Sequence, residues 1–123
     1  MESGSDWEPR VGHSRAIRAG THVFVSGTAP NSRTDGGDFP DDAYGQTIRC
    51  FEIIIKALED AGADRTHVVR TRIYTLSTAD IPGLSKAHAE LFADVGPAST
   101  ILIVAGFDHP RWRVRDRGGS SHT

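Results

Sequence analysis

The chain has 123 residues and a formal net charge of -2. That length suits one domain with a buried core, and the slight acidity removes any global electrostatic case for nucleic acid. Its single cysteine, Cys50, excludes an intramolecular disulfide and fits a reducing compartment.

Met1–Gly12 lacks periodicity and reads as a flexible N-terminal arm. It is polar and acidic, with no apolar run for a signal peptide or membrane span, so a cytoplasmic protein is expected. His13–Arg18 alternates weakly, Ala19-Gly20 signals a turn, and His22–Ser26 reads as a strand, so the three form a β-hairpin. Gly27–Asp42 is rich in Gly, Pro, Asn, Ser and Asp and reads as a long loop.

Asp42–Ala61 carries the strongest helical pattern. Ile48, Phe51, Ile54, Ile55, Leu58 and Ala61 share one face, with Gln46, Arg49, Lys56 and Glu59 largely opposite. Asp41 or Asp42 can cap its start, and Gly62 stands where a terminating glycine belongs. Cys50 beside Phe51 is expected to pack in the core rather than react.

His67–Leu76 reads as a strand, with Val69, Thr71, Ile73 and Thr75 on one face and Val68, Arg70, Arg72 and Tyr74 on the other. Thr78–Phe92 reads as a second helix, with Asp80 as N-cap, Pro82 in its first turn, and Leu84, Ala87, His88, Leu91 and Phe92 on its apolar side. Gly96-Pro97 then breaks the chain. Ser99–Ala105 runs almost without a polar residue, which predicts a strand buried on both faces with Ser99 and Thr100 at its mouth. Arg111–Arg115 can form a last strand, and residues 116–123 read as an irregular C-terminal tail.

One domain over residues 13–115 is therefore expected, of order β-β-α-β-α-β with an optional final β. This is an α+β fold: a mixed sheet with two helices on one face. The other sheet face, with Tyr74 and two arginines, is expected to meet another subunit. His22, His67, His88 and His109 show no metal-ligand spacing.

Several segments in this order resemble the RidA/YjgF family, also called L-PSP or reactive-intermediate deaminases. They are Ser14–Gly20 (SRAIRAG), Val23–Gly27 (VFVSG), Gln46-Thr47, Ile55–Gly62 (IKALEDAG), Val68–Tyr74 (VVRTRIY) and Pro97–Val104 (PASTILIV). The resemblance implies a chorismate-mutase-like fold and a homotrimer with a ligand cleft at each subunit interface. It further implies hydrolysis of reactive 2-imino or 2-enamino acids to 2-oxo acids and ammonia, without a cofactor. Some members are described as endoribonucleases.

The chain departs from the active pattern at the residues that matter. The family's arginine in Pro-x-Arg-Ser falls at Ser99, and its glutamate on the last strand falls at Arg115. A frequent tyrosine falls at His13 and an asparagine near Ser85, while Ser26 is unchanged. A substrate carboxylate wants a guanidinium fork and an attacking water wants a carboxylate, so standard deaminase activity is expected to be weak or absent. The implied ligand-contacting residues are Ser26, His13, Ser99, Thr100 and Ser85, with Arg70, Arg72 and Arg115 as substitute cations.

Two other readings stand beside the enzymatic one. The chain could be a trimer that binds a small metabolite without turnover, or an RNA binder using Arg111–Arg117 and Trp112. The tail also admits a frameshift. One of the many reverse translations of Arg115–Ser120, CGA GAT CGA GGC GGA AGC, read one base later encodes Glu-Ile-Glu-Ala-Glu, the last-strand pattern of the family it resembles.

Overall fold

The computed structural model describes residues 16–30, 39–107 and 109–121. Strands β1 (Ala16–Ala19) and β2 (His22–Val25) form the expected antiparallel hairpin. Helix α1 spans Ala43–Asp60, and the Asp42 side chain caps it by accepting from the Gly45 N–H at 3.1 Å. Gly62, at φ 87, takes the left-handed conformation that ends the helix. Strand β3 is Val68–Thr75, helix α2 is Ile81–Phe92, strand β4 is Ala98–Ile103 and strand β5 is Val114–Ser121. The strand order is β1-β2-β5-β3-β4, with only β3 and β4 parallel. Phe51 and Phe92 meet edge to face at 5.1 Å, and Ile54, Leu58, Ile73, Leu84 and Val114 complete the core between helices and sheet.

Four expectations need correction. The tail is not irregular from residue 116, because β5 runs to Ser121 as an inner strand. Pairing with β2 on one side and β3 on the other satisfies its backbone, and this outweighs the poor strand propensity of its glycines. Gly118 also suits its place, since a Cβ there would lie 3.3 Å from Ile54 Cγ2.

Nor is β4 buried on both faces. It pairs only with β3, lies at the sheet edge, and is exposed along its whole length. An apolar run demands cover, but the two helices of the same chain do not supply it.

In β3, Val68 is buried while Val69 and Arg70 are exposed. An irregularity between Val68 and Arg70 shifts the alternation, so the core face is Val68, Thr71, Ile73 and Thr75. Finally, Thr78–Asp80 is a separate turn of 3-10 helix. Asp80 stands at the N-cap of α2 as expected but makes no side-chain cap bond, and the hydroxyl of Ser77 accepts from the Ala79 N–H at 3.1 Å.

Candidate functional site

The entry to β5 is set by a glutamine. Gln46 on α1 is fully buried, and its Nε2 donates to the carbonyls of Pro40 and Arg111, each at 2.9 Å. Its Oε1 accepts from the Arg113 N–H at 2.7 Å. Thr75 Oγ1 donates to the Arg113 carbonyl at 2.9 Å. With residue 113 pinned, strand alternation sets the facing of the next three side chains. Val114 and Asp116 turn toward the helices and are buried, while Arg115 takes the open face, opposite Tyr74 in the register.

Arg115 lies against the turn after β2. Its Nη2 donates to the Gly27 carbonyl at 3.4 Å, and a Cβ on Gly27 would sit 2.9 Å from its Nε. Ser26, half-buried, precedes Gly27 in the chain. The turn is anchored by a backbone bridge between Thr28 and Asp116, with N–H to carbonyl distances of 2.8 and 2.9 Å. The one acidic residue of β5, Asp116, is thus lost to the open face. Both carboxylate oxygens of Asp116 are buried without a hydrogen-bond partner among the described residues, and burial holds its pKa well above the usual carboxylate range.

A second polar group lies on the helix side of the sheet edge. Thr71 on β3 and Ser99 on β4 are register partners. Thr71 Oγ1 contacts Ser99 Oγ at 2.8 Å and His88 Nε2 of α2 at 2.9 Å. His88 packs between Phe51 and Phe92, and burial lowers its pKa, so the ring is neutral at neutral pH. Thr71 is fully buried, whereas Ser99 is exposed.

The expected site residues thus divide. Arg115 lies against Gly27, the residue after Ser26 in the turn that follows β2. Ser99 joins Thr71 and His88, on the opposite sheet face from Thr100, which is exposed beside Arg72 in the register. Ser85 is exposed one turn before His88 on α2. Arg70 is exposed and Arg72 half-buried on the open face. His13 lies outside the described residues. Sequence reasoning placed Thr71 and His88 on buried faces but missed that they work as a pair. The usable signal was a polar residue on each of two otherwise apolar faces.

The Arg111–Arg117 stretch is not a free basic run over its first half. Arg111 pairs with Asp41 at 2.8 Å and lies over the Phe39 ring, and Arg113 reaches Asp80 at 3.5 Å. Trp112 stacks on His109 at 5.5 Å.

The family model described as Endoribonuclease L-PSP matches residues 4–115. The chain belongs to the RidA/YjgF/L-PSP family. It is 36% identical over 110 residues to an uncharacterized protein of Streptomyces coelicolor, covering 87% of this chain and 79% of that protein. It is 30% identical over 90 residues to the 3-aminoacrylate deaminase RutC of Acinetobacter baylyi, covering 73% of this chain and 71% of that protein. Among solved structures it is similar to Rv2704 of Mycobacterium tuberculosis, a member of the YjgF/YER057c/UK114 family, with a TM-score of 0.89, 33% identity, and coverage of 99% of this chain and 97% of the other. Membership of the RidA/YjgF/L-PSP family agrees with the ββαβαββ order and the mixed sheet.

Proposed function

We propose that this member of the family binds a small 2-oxo or 2-imino acid, with hydrolysis of reactive 2-imino and 2-enamino acids to 2-oxo acids and ammonia weak or lost. The observation that carries this reading is the parity of β5. It presents Arg115 to the open face and buries Asp116 in the core. An attacking water then lacks the carboxylate that would take its proton, a loss worth about 10²–10⁴-fold in rate. The deaminase name of the RutC relative supports the substrate class.

A homotrimer is part of the proposal. The exposed Ile101, Leu102 and Ile103 of the edge strand β4 are the kind of apolar side chains that a neighbouring subunit covers, and Ile17, Phe24 and Val69 are exposed elsewhere on the sheet. Among the described residues no helix is long and apolar enough to cross a membrane, and the proposal places the protein in the cytoplasm. The RNA reading is disfavoured, because Arg111 and Arg113 are engaged by acidic residues of the same chain.

The test is an imine-hydrolysis competition. A generator enzyme makes 2-iminobutanoate, semicarbazide traps it, and this protein competes with the trap. The expected result is turnover at least about a hundredfold below that of an active family deaminase. Comparable turnover would overturn the reading. Light scattering on the same sample reports the oligomer. RNA affinity that falls steeply with salt would revive the alternative.

A further inference from the structure

We propose that the open face of the sheet binds a nucleoside diphosphate, with the base over Gly119 between Phe24 and Arg70 and the phosphates at Arg72. This goes beyond the small-acid reading and does not depend on it.

The strand register builds the slot for the base. Phe24 on β2 pairs with Gly119 on β5, and Gly119 pairs on its other side with Arg70 on β3. Val23, Val25 and Thr71 are buried, so alternation sends Phe24 and Arg70 to the open face, where both are exposed. The glycine between them leaves a gap two strand spacings wide, about 10 Å. A flat ring centred in that gap lies about 5 Å from each wall, within the range where aromatic pairs, and an arginine over a ring, attract. The Phe24 ring already has a neighbour on its own strand, His22, with centroids 6.3 Å apart and planes at 19°.

The same face supplies the charge for the phosphates. Arg72, two residues along β3 from Arg70, stands about 7 Å further on. Arg117 is opposite Arg72 in the register, and Arg115 follows opposite Tyr74. Like charges directly opposite each other weaken a ladder. Among the described residues, no acidic residue occupies an open-face position of the five strands. A multiply charged anion relieves that repulsion, and a guanidinium fork matches a phosphate. A ring without charge, or an anion without a ring, engages half of the site.

The experiment is calorimetric titration of the 123-residue chain with ADP, adenosine and pyrophosphate, in EDTA so that no metal bridges the phosphates. ADP should bind about tenfold or more tightly than either fragment. Arg72→Gln should weaken ADP and pyrophosphate alike, by about tenfold. Gly119→Val fills the slot and should weaken ADP by about tenfold while leaving pyrophosphate unchanged. Valine suits a strand better than glycine, so the melting temperature of this variant should not fall, which separates a filled slot from a lost fold. Phe24→Leu should show the same selective loss of ADP.

A wild-type protein that does not bind ADP, as when a second copy covers this face, would overturn the proposal. Equal affinity for ADP and pyrophosphate would do the same, as would undiminished ADP binding by Gly119→Val and Phe24→Leu. The small-acid reading stands or falls separately, on the imine-hydrolysis competition.

Discussion

Asp116 is the residue whose replacement should change this protein most. It is fully buried on the helix side of an inner strand, and neither carboxylate oxygen has a hydrogen-bond partner among the described residues. Even when protonated, a buried polar group without a partner costs about 1–3 kcal/mol. A fully buried valine or isoleucine contributes about 1.5–3 kcal/mol by leaving water, and crowding by the larger side chain returns about 1–3 kcal/mol of that. Asp116→Val should therefore stabilise by about 2 kcal/mol. At about 4 °C per kcal/mol for a domain of this size, the melting temperature should rise by about 8 °C.

The assay is thermal and urea unfolding of both proteins at pH 7 and equal protomer concentration, since assembly shifts apparent stability. An unchanged or lower stability for Asp116→Val would refute the reasoning. It would mean that the carboxyl group has a compensating partner, with the buried and equally unpartnered Thr47 hydroxyl the first to examine.

The same group gives an inverted pH dependence. Its folded pKa lies above the unfolded value of about 3.9, so the folded state holds the proton more tightly. Its contribution is complete below the unfolded pKa and is lost as pH rises toward the folded one, by about 1.4 kcal/mol per unit. Asp116→Asn should flatten that slope in urea titrations between pH 4 and 7, and an identical slope in the variant would count against it. Gln46→Ala removes three hydrogen bonds, two that seat the entry to β5 and one to the Pro40 carbonyl. It should cost about 2–4 kcal/mol and should be visible as early hydrogen exchange at Val114. Leu102→Glu places a charge on the exposed apolar edge of β4; light scattering should report a smaller assembly with unchanged circular dichroism. Resequencing the 3′ end of the gene tests the frameshift. The shifted frame supplies isoleucine at position 116, which is what the core position favours, and codons incompatible with that frame would end the idea.

Much of this architecture is legible in local pattern. The apolar stripe from Ile48 to Ala61, bounded by Asp42 and Gly62, specifies α1, because a helix face repeats every few residues and needs no distant information. The hairpin is local in the same sense, and the scattered VFVSG, IKALEDAG and PASTILIV segments suffice to identify the family. What no local pattern carries is which strands become neighbours. The insertion of β5 between β2 and β3 is a non-local choice, made where paired backbone on both edges outweighs the weak propensity of Arg-Asp-Arg-Gly-Gly. The Gln46 bonds at Arg113 and the register with β3 then set the parity that buries Asp116 and turns Arg115 outward. The apolar run in β4 demands a cover, but only the tertiary arrangement shows that this chain leaves it at the sheet edge. The contact of Thr71 with both His88 and Ser99 likewise exists only once α2, β3 and β4 are packed together.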